Sequence, residues 1–188
     1  MATLSAIHIY PVKSCAGQSV ETAVVQPRGL EHDRRWMLVD PDGKFITARQ
    51  EPRLLQVQPG PTEEGLVLEA PGMPTLAVAA PGAGATLKVK VWKDHVDALA
   101  VDAAADDWFS RCLDRPVRLV HMDAGVTRRN GSSRARPGDE VSFADSMPLL
   151  LVSRAALDAL NQRLEQPVPM SRFRPNLVVE AVEAHAED

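Results

Sequence analysis

Aromatic residues are scarce in this chain. One tyrosine, three tryptophans and four phenylalanines make up 4% of its 188 residues. So sparse a set offers no platform on which nucleic-acid bases would stack. A basic surplus is missing too: 21 Lys and Arg stand against 25 Asp and Glu, for a net charge of −4. A general nucleic-acid role is therefore disfavoured. No apolar run approaches the ~20 residues needed to span a bilayer. The N-terminus, Met1 to Tyr10, lacks the basic start and apolar block of a secretory signal. Cysteine is limited to Cys15 and Cys112, a poor disulfide framework, and a reducing, cytoplasmic setting is the default expectation. The five histidines (His8, His32, His95, His121, His185) show neither helical i, i+4 pairing nor a neighbouring cysteine pair, so no zinc or other metal site is indicated. No nucleophile elbow, dinucleotide fingerprint or full phosphate loop is present.

What remains suits a folded, turn-rich domain. Hydrophobic residues reach 45%, and the length fits one large domain or two small ones. Fifteen prolines and eleven glycines point to short elements and many turns, as in a β-rich fold. Strand-like stretches are expected at residues 3–10, 19–26, 35–40, 44–48, 54–58, 65–69, 75–79, 86–92 and 96–101. Pro41-Asp42-Gly43 should turn one hairpin. The period then changes. Asp102 is placed to cap a helix whose Ala105, Trp108, Phe109, Cys112 and Leu113 share one face. A strand at 117–122 follows, and then a polar, arginine-rich stretch at 123–138 that reads as a mobile loop. Residues 140–143 and 148–152 are again strand-like. Ser153 should cap a second helix with Leu157, Leu160 and Leu164 inward. Pro167 and Pro169 break it, and residues 177–180 form a last strand. The acidic tail, 181–188, reads as disordered. The fold class is mainly β (α+β), with two amphipathic helices at about 102–114 and 153–165.

Polar residues cluster in the turns of the first third. Lys13 and Ser14 sit at a strand exit beside the small residues Ala16 and Gly17, where they can donate to phosphate oxygens; a solvated turn is the plain alternative. Arg34 and Arg35 are adjacent at a strand start, so they point to opposite faces and one alone can line a given pocket. Arg49, at the far end of the hairpin, can approach them. Such arginines need either an anion between them or acidic partners among Glu31, Asp33 and Glu51. Pro175 biases Arg174 toward an extended backbone. In an extended run Arg174 and Asn176 address one side, the first binding an anion and the second a heterocycle edge; a salt bridge with a turn-stabilising Asn is the alternative. Cys15 stands beside a lysine that would lower its pKa, which opens a reading as a sulfur-carrying thiol. Cys112 falls on the apolar face of the first helix and reads as inert core.

Taken in order, these blocks carry a resemblance. Ile9-Tyr10-Pro11-Val12-Lys13-Ser14-Cys15, Gly29-Leu30, Asp33-Arg34 and Thr47-Ala48-Arg49-Gln50-Glu51-Pro52-Arg53-Leu54 resemble the N-terminal β-barrel domain of MOSC proteins, the family of the mitochondrial amidoxime-reducing components and their bacterial relatives. Phe143-Ala144-Asp145, residues 148–153 and Phe173-Arg174-Pro175-Asn176-Leu177-Val178-Val179 are similar to the opening of the MOSC domain. The resemblance implies a barrel domain at 1–101, an incomplete start of the MOSC domain at 102–180, and a pterin molybdenum cofactor used to reduce N-hydroxylated compounds. It implies cofactor contacts from Lys13, Ser14, Arg34 and Arg49, and from Ser153, Arg174 and Asn176 on the other side. It leaves the catalytic residues unknown. An electron-transfer reductase or ferredoxin-type partner is implied as well. The family's cysteine ligand to molybdenum lies downstream of the Phe-Arg-Pro-Asn block and is not matched by Cys15. The expectation is a truncated, inactive fragment that keeps part of the pterin pocket and self-associates through an exposed sheet edge. The alternative is a non-catalytic module for an anion or a phosphate cofactor such as pyridoxal phosphate, for which no Schiff-base lysine can be assigned.

Overall fold

The computed structural model describes residues 1–187. In chain order the strands and helices are β1 (Thr3–Ile9), β2 (Gln18–Val20), β3 (Val25–Gln26), β4 (Gly29–Leu30), β5 (Trp36–Val39), β6 (Gln58–Pro61), β7 (Gly65–Glu69), β8 (Leu76–Ala79), β9 (Thr86–Val91), β10 (Asp94–Ala100), α1 (Ala103–Leu113), β11 (Arg118–His121), β12 (Leu151–Ser153), α2 (Arg154–Asn161) and β13 (Leu177–Glu180). This is the mainly β, α+β architecture that the turn-rich composition predicts.

The central sheet, ordered β5-β11-β10-β9, is antiparallel throughout. Successive side chains in a strand face opposite sides, and here both sides are buried. Trp36, Leu38 and Leu119 enter one core, together with Ala105, Trp108, Phe109 and Leu113 of α1. Met37, Val39 and Val120 enter a second core with Val89, Val91, Val96, Ala98 and Phe143. Helix α1 forms as its pattern predicts: Asp102 accepts a hydrogen bond from the Ala105 N–H at 2.8 Å, and the i, i+3, i+4 face packs on the sheet. A second sheet runs β12-β13-β1-β2. Its β12–α2–β13 unit is parallel, while β1 lies antiparallel to β13 with a bulge between Leu4 and Ala6. A three-stranded sheet, β6-β7-β8, closes the first core from below through Leu66, Leu68 and Val78.

Both larger sheets join strands from either side of residue 101: β1 pairs with β13, and β5 and β10 pair with β11. The boundary expected there does not divide the hydrogen-bonding network. Other expectations are corrected locally. Residues 54–58 do not open a strand; Pro52–Gln56 is a 3-10 turn with Leu54 at its buried centre, because Pro52 fixes a helical φ at its start. The strand expected at 19–26 breaks into β2 and β3. Residues 140–143 make one bridge, Glu140 to Arg129, rather than a ladder. Helix α2 ends at Asn161, so Leu164 lies beyond it, 39% exposed. The side chain of Asn161 stops the helix by exchanging hydrogen bonds with the backbone of Val168.

The arginine-rich stretch is anchored at Arg128, while Arg129, Arg134 and Arg136 are exposed. Arg128 is 5% exposed and pairs with Asp94. It also donates to the carbonyls of Ser142 and Ala144. The tail read as disordered, 181–188, turns back over its described part, where Glu187 accepts a hydrogen bond from the Ser153 N–H at 2.6 Å; Asp188 lies outside the described residues. Among the described residues, no helix is long and apolar enough to cross a membrane.

Candidate functional site

A cleft of about 1270 Å³ opens where the loop after β1, the turn at Arg34, the 47–49 loop, the β9–β10 turn and the segments on either side of α2 meet. Among the described residues, five cationic side chains line it (Lys13, Arg34, Arg49, Arg172, Arg174) against one carboxylate, Asp145. Cations outnumber anions in this lining although the whole chain is acidic, and two of them are ion-paired, Lys13 with Asp145 and Arg34 with Asp33.

Tyr10 organises the back wall. The guanidinium carbons of Arg34 and Arg174 each stand 4.2 Å from its ring centroid, an arrangement the ring's negative face favours. Its hydroxyl donates to the Pro175 carbonyl at 3.2 Å. Gly17 makes room for the ring, since a Cβ at that position would collide with it. Arg34 is neutralised locally: its Nη1 donates to both oxygens of the fully buried Asp33, at 2.8 and 2.7 Å. It also reaches the side-chain oxygen of Asn176 at 3.0 Å and the carbonyl of Arg174 at 3.1 Å. The acidic-partner alternative is thus realised for Arg34, with Asp33 as the partner.

Arg174 is different. Its Nη1 donates to the Cys15 carbonyl at 2.6 Å, but its Nη2 is buried without a hydrogen-bond partner. Burial, and then the neighbouring Arg34 charge, press its guanidinium below the ordinary arginine range. A buried donor left unpaired is costly, by about 1–3 kcal/mol.

Lys13 is 6% exposed and donates from Nζ to the Phe143 carbonyl at 2.7 Å and to Asp145 Oδ1 at 2.5 Å. Burial lowers the pKa of its ammonium, opposed by the Asp145 charge and hydrogen bond. Four non-glycine residues at this cleft hold left-handed backbones: Ser14 (φ 71°), Arg34 (φ 50°), Trp92 (φ 54°) and Arg174 (φ 57°). Strain of this kind persists where surrounding contacts over-determine it, and it gathers at functional sites.

Of the residues singled out in the sequence, Lys13, Ser14, Arg34, Arg49, Arg174 and Asn176 line this one cleft. Ser153 does not line it. Its buried hydroxyl accepts from the Ala156 N–H at 3.1 Å as the N-cap of α2. Arg35 does not line the cleft and donates to Gln26 at 2.7 Å; the separation of the two arginines comes from the left-handed turn at Arg34, just ahead of β5, rather than from the strand alternation expected. Burial and then Arg28 bring the Arg35 pKa down to about 10. The extended backbone expected of Arg174 is replaced by the left-handed one, because its guanidinium is held over Tyr10 and on Cys15. Asn176 is a brace rather than a free heterocycle reader. It is 1% exposed, its oxygen accepts from Arg34 and from the Leu150 N–H, and its Nδ2 donates to the His8 carbonyl.

Cys15 overturns the thiolate idea. It is fully buried, and burial pushes its pKa up to about 12, so the nearby lysine does not make it a sulfur carrier. Cys112 packs partly buried against the first core, as expected of a core residue. Neither cysteine lines the cleft. Among the described residues, no group of three or more His, Cys, Asp or Glu side chains could hold a metal ion.

Sequence reasoning missed Tyr10, Trp92 and Asp145 as site residues. Their roles rest on contacts 165, 53 and 132 residues apart, which no local pattern encodes.

Comparison with known proteins bears on the same region. Residues 1–116 match the MOSC N-terminal beta barrel domain and residues 138–188 match the MOSC domain. The chain is 34% identical over 197 residues to mitochondrial amidoxime-reducing component 1 of Xenopus laevis, covering 98% of this chain and 57% of that protein. It is 33% identical over 198 residues to the Homo sapiens component 1, covering 100% of this chain and 59% of that protein. Identity to mitochondrial amidoxime reducing component 2 of Rattus norvegicus is 36% over 201 residues, with coverages of 100% and 59%. The chain therefore spans less than two thirds of the length of these relatives.

Proposed function

Because this chain belongs to the MOSC family, through its N-terminal β-barrel domain and the MOSC domain that follows it, we propose that the cationic cleft holds the phosphate and pterin of a molybdenum cofactor. The observation that carries this reading is the buried, unpartnered Nη2 of Arg174 beside the Arg34–Tyr10–Arg174 cluster. That donor lacks an acceptor, and a phosphate or pterin oxygen is a matching one. Lys13 and Arg49 line the same cleft and would add charge, and Ser14, which also lines it with a left-handed backbone, would add a hydroxyl donor. Arg34, neutralised by Asp33, positions Asn176 and Arg174 rather than supplying free charge. The bound cofactor would supply the redox chemistry of an oxidoreductase acting on N-hydroxylated compounds, as the names of the relatives imply. The protein's part is to bind, orient and shield it. An electron-transfer partner would dock at the cleft mouth.

A soft thiolate is the expected protein ligand for such a metal, and Cys15 and Cys112 are both turned away from the cleft. These 188 residues alone are therefore expected to retain the pterin without reducing amidoximes. A pyridoxal-phosphate role fits less well: Lys13 is the one lysine lining the cleft among the described residues, so a Schiff base there would use up the cation the phosphate needs.

The test is pterin retention. The chain, produced in cells that make the cofactor, is purified and its pterin is released, oxidised and measured by fluorescence. Wild type should carry pterin, and Lys13→Ala and Arg174→Ala should each lose most of it, in line with a binding loss of about 1–3 kcal/mol. Equal pterin in Arg174→Ala and wild type would refute the assignment, and robust amidoxime reduction by this chain would refute the inactivity.

A further inference from the structure

The deepest cation of the cleft already has an anion on it. Asp145 Oδ1 lies 2.5 Å from Lys13 Nζ, yet the two side chains differ sharply in exposure, at 62% for Asp145 and 7% for Lys13. Asp145 is thus a carboxylate at the water boundary reaching inward, not a buried structural acid. It is held from three directions. Lys13 holds one oxygen, and the indole Nε1 of Trp92 donates to the same oxygen at 3.1 Å. Arg128 fixes the backbone on which Asp145 rides, through the carbonyls of Ser142 and Ala144. Arg49 contributes attraction at longer range. Burial opposes ionisation of Asp145, and the Lys13 charge with the hydrogen bonds from Lys13 and Trp92 outweighs it, so the carboxyl titrates below the ordinary aspartate range.

We propose that Asp145 is a built-in counter-anion for Lys13, which a phosphate-bearing ligand must displace on entering the cleft. The proposal rests on the reading of this cleft as a phosphate site and adds how that site is guarded. A buried ammonium without an anion is strongly unfavourable, and Asp145 removes that penalty in the empty cleft. A phosphate group on Lys13 and the Asp145 carboxylate would be like charges a few ångströms apart, which favours protonation or departure of one of them. Asp145 is the one with a path, being more than half exposed, while Lys13 keeps its bond to Phe143. When the carboxylate leaves, Trp92 loses its acceptor. Trp92 is 42% exposed, sits in a left-handed turn and packs against Phe45 with ring centroids 4.9 Å apart and planes tilted by 59°, so its surroundings report the exchange. The guard also selects: a neutral or weakly charged head group lacks the charge to displace a carboxylate, whereas a phosphate dianion has it.

Inorganic pyrophosphate serves as the probe, with binding followed by calorimetry and by tryptophan emission. Asp145→Asn should bind pyrophosphate at least about tenfold more tightly than wild type, the scale of one charge-assisted contact. Lys13→Ala should bind it far more weakly. Wild-type emission should change on titration and the change should vanish in Trp92→Phe, a readout that needs no substitution at Asp145. If Lys13→Ala abolishes binding but Asp145→Asn leaves affinity unchanged or lowers it, or if wild-type emission stays constant as pyrophosphate binds, the counter-anion role fails and the phosphate cleft stands. If pyrophosphate binds wild type and Lys13→Ala alike, or binds none of the proteins, both readings fall.

Discussion

At the scale of single residues, burial does most of the chemical sorting. The same physical cause drives Cys15 up to about 12, lowers Lys13, and brings His121 down to about 4 from its ordinary 6.5. His121 packs 4.4 Å from the Trp36 ring, and its Nδ1 is buried without a hydrogen-bond partner. Desolvation is the main cause; Asp123 attracts the proton and Arg35 repels it. The sign of the consequence is fixed. As pH falls below 6.5 the unfolded chain takes up a proton at this position that the native ring refuses until about 4. Stability should therefore decline across that window and level off below it. Urea midpoints measured from pH 7 to 4 should fall less steeply in His121→Phe, which keeps the ring contact with Trp36. An unchanged slope would show that His121 is not the responsible group. None of this was readable from the sequence, where the five histidines look alike.

At the scale of elements, local rules succeeded at the helix caps and at the Pro-Asp-Gly hairpin. Asp102 caps α1 and Ser153 caps α2, each through a backbone N–H three residues on. The hairpin at 40–45 closes through Asp40 and Lys44, as Pro-Asp-Gly predicts. The same rules gave way where a short apolar run fits two conformations, as at 54–58, where a proline-started turn took the place of a strand. Ser153 illustrates how one residue type serves two expectations. Its hydroxyl is a cap and faces no cleft. Ser153→Ala should accordingly lower unfolding free energy by about 1 kcal/mol, the usual worth of an N-cap, while leaving pyrophosphate affinity as in wild type. A weakened affinity with unchanged denaturant midpoint would return Ser153 to the binding site.

At the scale of the whole molecule, strand pairing crosses the boundary at residue 101 that the family resemblance implies, and a single cooperative unit is the expected consequence. The first strand is held by the last, and the central sheet takes β11 between β5 and β10. Removal of either half exposes unpaired edges and opens both cores. Urea unfolding followed by tryptophan emission and by far-UV circular dichroism should give one coincident transition, and residues 1–101 alone should not fold; two separated transitions would show independent halves. The sequence by itself determined the strand-rich class, both helix caps, the core face of α1 and the cationic turns, because each depends on neighbours within one turn or one pleat. Only the tertiary structure decided that Arg34 is spent on Asp33, that Arg174 keeps an unpaired donor, and that Asp145 sits on Lys13. Asp33 was one of several candidate partners next to Arg34, and the choice among them, like the meetings of Arg174 with Cys15 and of Asp145 with Lys13 across more than a hundred residues, depends on which charges burial forces together; period, propensity and composition carry no information about that.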